Sequence, residues 1–125
     1  MKIKTSHIAT GRKAEDIAME YLVVNGYEII ATNWRSGRSE IDIIARDVDQ
    51  LVFLEVKSRS YDSLGKPEIA INSKKEKMII RGAIAFMNHQ NYEGKFRFDV
   101  ISIVLRSEDD FDLEHFEDAF FPGLD

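Results

Sequence analysis

Cysteine is absent from this sequence, which excludes disulfides, thiolate zinc sites and a cysteine nucleophile. Histidine is scarce: His7, His89 and His115 stand too far apart for a local metal motif, so any metal would be held mainly by carboxylates. No run of about 18 apolar residues is available to span a bilayer. The stretch MKIKTSHIATGRKAE has no apolar segment of the secretory type. These absences lead to the expectation of a soluble, cytoplasmic protein with no membrane partner. Repeats, low-complexity linkers and internal boundaries are also missing, and 125 residues of which 44% are apolar suit one domain, 1–125, with one modest core.

Positive charge is missing from one end. Residues 107–125 carry eight acids and no Lys or Arg; the remaining 14 acids face 17 bases in residues 1–106, a net of +3 beneath a total of -5. A mildly basic body with an acidic C-terminal segment permits phosphate contacts without requiring them.

What is present reads as alternating helices and strands. Ser6 or Thr10 offers a cap for a first helix, whose apolar residues Ile17, Ala18, Tyr21, Leu22 and Val24 recur at helical spacing until Asn25-Gly26. Strands are expected over 27–34, 39–46 and 51–58, with a basic turn at Arg35-Ser36-Gly37-Arg38. A helix over about 68–90 would bury Ile79, Ile80, Ala83, Ile84 and Met87. Strands 95–105 and 111–120 follow. The order is α-β-β-β-α-β with an extra strand, which implies an α/β domain with a mixed central sheet flanked by helices.

The informative stretch is SEIDIIARDVDQLVFLEVKSRS, Ser39 to Ser60. Alternation places Glu40, Asp42 and Ile44 on one side of the first strand, and Ile41, Ile43 and Ala45 on the other. In the second strand Leu51, Phe53, Glu55 and Lys57 share a side. An antiparallel hairpin looping at Val48-Asp49, or over 47–50, pairs residues whose numbers sum to 97, so Asp42 faces Glu55 and Glu40 faces Lys57. Like charges with Cβ atoms ~5 Å apart repel, and a cation should sit between them, either Lys57 or a divalent ion. Spacing alone leaves two readings open. One is a charged hairpin end with a Glu40–Lys57 salt bridge; the other is a metal site.

Asp42, twelve intervening residues, then Glu55-Val56-Lys57 resembles the PD-(D/E)XK nuclease signature, and Glu15 matches that superfamily's helical acid. The stretches GRKAEDIAMEYLVVNGYEIIATNWR, EIDIIA, LVFLEVKSRS, FRFDVISI and HFEDAF resemble, in the same order, the YraN-like family of predicted endonucleases, similar in fold to archaeal Holliday-junction resolvases. The resemblance covers residues 11 to about 120. It departs at Ser39, where the family usually has glycine before Glu-Ile-Asp, which bears on backbone shape and substrate approach.

The resemblance implies a restriction-endonuclease-like fold and a metal-dependent endonuclease acting on nucleic acid, DNA above all and branched forms among its candidates. Asp42 and Glu55 would ligate Mg2+ or Mn2+ with the Val56 carbonyl, and Glu15 would bind through water or directly. Lys57 would orient the attacking water and stabilise charge on phosphate. Glu40 is either a partner of Lys57 or a direct participant. Arg12, Lys13, Arg35, Arg38, Arg59 and Lys75 are the candidates for positioning phosphates. Trp34 is either a base-stacking residue or core, and Asp99 either a structural acid or a support for the site. Met78 and Met87 are expected in the core, and His115 in a structural role. The acidic C-terminal segment reads as an edge strand or as a docking or autoinhibitory element. Two other readings stand beside the enzyme, a non-catalytic nucleic-acid-binding module in a larger assembly and a structural dimer. Resolvase-like enzymes pair two sites on a two-fold junction, which makes a homodimer the corresponding assembly.

Overall fold

The computed structural model describes the backbone of residues 7–60, 73–107 and 109–120, and the side chains of all of these except 7–12 and 60. The elements are α1 (His7–Val24), β1 (Glu28–Ser36), β2 (Ser39–Asp47), β3 (Gln50–Ser60), α2 (Ser73–His89), β4 (Lys95–Leu105) and β5 (Phe111–Phe120). The strands make one sheet in the order β1-β2-β3-β4-β5. β1, β2 and β3 form an antiparallel meander, β3 and β4 run parallel across the α2 connection, and β5 returns antiparallel along β4. This is the expected mixed sheet with α-β-β-β-α-β order. The acidic segment contributes its outer strand.

Local signals end the elements where the chain turns. Gly26, at φ 90, closes α1: its N–H reaches the Val23 carbonyl and the Tyr27 N–H reaches that of Leu22. Asn91, at φ 53, closes α2 the same way with bonds to Asn88 and from Tyr92 to Met87. Thr10 lies inside α1 rather than at its cap, and Ser6 and the start of the expected second helix, 68–72, fall outside the described residues. Arg35 and Ser36 belong to β1, so the turn narrows to Gly37 and Arg38.

Each face of the sheet carries one helix and one apolar cluster. Ala14, Ala18 and Leu22 of α1 pack with Ile43, Ala45, Val52, Leu54, Ile101 and Ile103. On the other face Ile79, Ala83 and Phe86 of α2 pack with Ile41, Ile44, Leu51, Phe53, Phe98 and Phe120. The stripe of α2 is therefore rotated from the expected one: Gly82 and Phe86 are buried, whereas Ile84 is half exposed. Trp34 meets Phe86 edge to face at 5.4 Å, a packing role, and Met87 borders the same cluster.

Alternation fails in β2. Ile41 joins Ile44 on the α2 side, while Ile43 and Ala45 face α1, so Ile41 does not share a face with Ile43 as alternation predicts. Opposite the break, β1 pairs Thr32 with Ile43 and Trp34 with Ile41, and Asn33 between them has φ 50. Asparagine tolerates that left-handed backbone better than most residues. Ser39 also faces α2. A Cβ at Gly82 would lie 3.1 Å from the Ser39 Cβ and 3.2 Å from Ile41 Cδ1, so helix and strand approach closely because Gly82 has no side chain.

A polar network lies on the α1 side of β4. Asp99 is fully buried and accepts from Arg97 Nε at 3.0 Å, from His115 Nε2 at 2.8 Å and from the Asp118 N–H at 3.1 Å. The β4–β5 register shifts between Phe98 and Val100, and Asp118, exposed and at φ 52, turns its backbone N–H toward Asp99. Arg97 also donates to Asp47 and to the Tyr27 hydroxyl, and the Tyr21 hydroxyl meets His115 Nδ1 at 2.9 Å. Asp99 thus acts as a structural acid, and His115 as the structural residue expected. β2, β4, β5 and α1 are tied through the network around this carboxylate.

Two outcomes follow for stability. Asp99→Ala takes from His115 and from Arg97 Nε their buried carboxylate, leaving Arg97 only Asp47, Tyr27 and Glu117, and urea denaturation should show a loss of about 3 kcal/mol. Gly82→Ala should destabilise by about 1 kcal/mol through overpacking, against the ~1 kcal/mol that alanine gains over glycine in an unconstrained helix. That cost should shrink in a Ser39→Gly background, and an unchanged cost would show that Ser39 is not what crowds position 82.

Candidate functional site

The hairpin ladder between β2 and β3 follows the predicted sum of 97, pairing Asp47 with Gln50 through to Ile43 with Leu54. It then stops. Asp42 and Glu55 come next, but they form no ladder pair; instead Asp42 Oδ2 accepts the Val56 N–H at 2.8 Å. A side-chain carboxylate takes the hydrogen bond that a strand backbone would otherwise supply, and the two strands part around it. Asp42 therefore reaches Glu55 and also influences Glu15 on α1. Glu55 is 5% exposed and lies on the α2 side of β3, as the positions of Leu51 and Phe53 require.

The cation facing Glu55 comes from a helix. Lys75, in the first turn of α2, places Nζ 2.5 Å from Glu55 Oε1. Sequence reasoning assigned Lys75 to phosphate contacts and left Lys57 or a divalent ion to offset the acidic pair; helix packing brings Lys75 there. Lys57 lies two residues beyond Glu55 on the same face and is half-buried. Its neighbour on β4 is Ser102, whose buried hydroxyl has no hydrogen-bond partner among the described residues. Glu40, expected opposite Lys57, pairs with Arg35 across β1 at 3.4 Å. The β2–β3 ladder ends too early to align Glu40 with Lys57.

Electrostatics mark the acids as strained in their ionised forms. Burial and then the Glu55 charge push Asp42 up to about 7, against the opposing pull of the Val56 N–H and Lys75. Burial also raises Glu55, although Lys75 works against it. Glu15 rises through burial and the charge of Asp42, partly offset by a bond from Asn33 Nδ2 at 3.2 Å. Burial presses the Lys75 ammonium down, but its bond to Glu55 and the charges of Glu55, Asp42 and Glu40 carry it upward overall.

The donor set fits a hard divalent cation: two oxygen ligands close together, each favouring neutralisation. Among the described residues no three His, Asp or Glu converge closely enough to share one ion. Glu15 stands beside the Asp42–Glu55 pair rather than within it. Of the basic candidates, Arg35 joins Glu40, Arg38 is exposed in the β1–β2 turn, and Arg59 lies beyond Lys57 on β3. Lys13 points elsewhere, into a cleft of about 420 Å3 with Tyr21, Phe111 and Leu113. The Arg12 side chain lies outside the described ones. Sequence reasoning missed Asn33 and Ser102; the signal for the first was an asparagine in mid-strand, while the second had none.

Fold and site together define an α/β protein whose β2–β3 ladder ends at a carboxylate pair, Glu55 buried and Asp42 half-buried. The pattern of the uncharacterised protein family UPF0102 matches residues 14–103, and the chain belongs to that family. A UPF0102 protein of Parabacteroides distasonis is 40% identical over 111 residues, covering 89% of this chain and 91% of the relative. One from Thermodesulfovibrio yellowstonii is 39% identical over 116 residues, covering 93% and 99%. A third, from Prosthecochloris aestuarii, is 43% identical over 117 residues, covering 89% and 92%. Among the described residues no helix is long and apolar enough to cross a membrane.

The raised Asp42 pKa gives a pH test. The folded state holds a proton that the unfolded state releases near 3.8, so this contribution to stability is present below about pH 4 and lost as pH rises through about 7. In chelator, melting temperature should fall over that window. Asp42→Asn retains a carbonyl for Val56 and should flatten the fall, melting at least about 4 °C above wild type at alkaline pH. Equal slopes for the two proteins would remove Asp42 as the cause.

Proposed function

We propose that this chain is a divalent-metal-dependent endonuclease of the PD-(D/E)XK type, hydrolysing phosphodiesters of nucleic acid, DNA above all and branched structures among its substrates. The observation that carries the reading is the opening of β2 and β3 at Asp42. It brings two carboxylates together and sets Lys57 on the Glu55 face. A strand pair with only a structural role gains nothing from breaking its ladder to confront two acids.

Asp42 and Glu55 would hold Mg2+ or Mn2+, and Glu15, held by Asn33, would reach it through water. The ion would supply positive charge against the phosphate and acidify a water. Lys57 brings an ammonium to the same face, where it orients the attacking water and offsets charge on the phosphoryl oxygens. Arg35, Arg38 and Arg59 supply phosphate contacts around the opening, with Glu40 orienting Arg35. The weight of acid in β5 keeps the duplex off that edge, so substrate approaches the carboxylate side.

The test is cleavage of labelled single-stranded DNA, duplex, flap, four-way junction and RNA with Mg2+ or Mn2+. Wild type should cut at least one DNA substrate. Asp42→Asn and Lys57→Ala should each lose roughly a hundredfold or more in rate while remaining folded. Junction binding by all three proteins without cutting would replace the enzyme with a binding module.

A further inference from the structure

Lys75 is held against one of the two carboxylates that a divalent ion would need. Its ammonium is bonded to Glu55 Oε1 at 2.5 Å, and Asp42 and Glu40 add to its charge environment. Glu55 is almost wholly enclosed, whereas about half of the Lys75 side chain is exposed. The carboxylate is therefore fixed by the sheet, and its partner sits on a long flexible stem at the first turn of a helix. Two cations cannot share Glu55 without repulsion in such an enclosed setting. The ammonium must yield some of its hold when a divalent ion arrives.

We propose that Lys75 is a built-in counter-ion, a positioning residue that holds Glu55 in the metal-free protein and competes with the divalent ion for it. This rests on the reading of Asp42 and Glu55 as metal ligands. In the metal-free state Lys75 keeps the enclosed carboxylate compensated and oriented. When the ion binds, the released ammonium stands at the mouth of the site, with a charge suited to a phosphate oxygen. Phosphate binding and metal binding then assist each other, because each favours the state in which Lys75 has left Glu55, and the coupling is reciprocal. The full site is assembled only with nucleic acid present, and stray metal is held weakly without it.

The experiment measures Mn2+ binding to chelator-stripped protein at alkaline pH by the electron paramagnetic resonance signal of free Mn2+, alongside thermal melting. Wild type, Lys75→Met, Lys75→Arg and Glu55→Gln are compared. Lys75→Met should bind Mn2+ at least about fivefold more tightly than wild type, the lower end of ordinary coupling between sites. Its metal-free form should melt lower and recover with saturating Mn2+. Lys75→Arg should restore the wild-type affinity, and Glu55→Gln should lose binding. Equal or weaker Mn2+ binding by Lys75→Met, with Glu55→Gln still deficient, overturns the counter-ion while leaving the metal site standing. If wild type and Lys75→Met both fail to bind Mn2+, the metal-ligand reading falls and the counter-ion role falls with it.

Discussion

The hydrogen bond from the Val56 N–H to the Asp42 carboxylate is the hinge of this structure. A buried N–H left without an acceptor costs roughly 1–3 kcal/mol, so β3 cannot part from β2 unless something replaces the missing backbone carbonyl. Asp42 does so from its own side chain. The ladder ends there, and the same carboxylate that satisfies the backbone stands beside Glu55. Support of the fold and presentation of an acid are thus one contact.

Around that opening the molecule sorts its polar groups into two separate systems. The network centred on Asp99 is closed: Arg97, His115 and the Asp118 backbone supply it with donors, and its members bind β5 and α1 to the sheet. The acids near Asp42 are under-compensated, and their carboxyl groups resist ionisation. Buried polar groups with every partner in place rigidify a fold, whereas buried acids short of cations retain affinity for them. The contrast separates the two sets of acids by environment rather than residue type.

Much of this was legible from residue order. The run of strands and helices, the mixed sheet and the hairpin register came from alternation and turn residues, and the sum of 97 located Asp42 beside Glu55. Alternation failed at Ile41 because Asn33, a neighbour across the sheet, adopts a left-handed backbone. No pattern within β2 records what its neighbour does. Lys75 was found as a basic residue but not as the partner of Glu55, since that depends on how α2 packs on the sheet. Ser39 illustrates the same limit: its fit depends on an absent side chain at Gly82, distant in the chain. What sequence reading lacked was contact between elements, whether neighbouring strands such as β1 and β2 or the sheet and the crossover helix α2.

The parallel pairing of β3 with β4, residues such as Glu55 with Val100, also orders events during synthesis. β1, β2 and β3 are joined by tight turns and can associate as soon as they emerge from the ribosome, whereas β4 must await the whole α2 connection. Through that interval β3 is an unprotected border with apolar residues on both sides, Val52 and Leu54 facing one way and Phe53 the other. Glu55, Lys57 and Arg59 in its second half discourage pairing with another nascent chain. The charges in the second half of β3 therefore also guard the growing polypeptide before the rest of the chain exists.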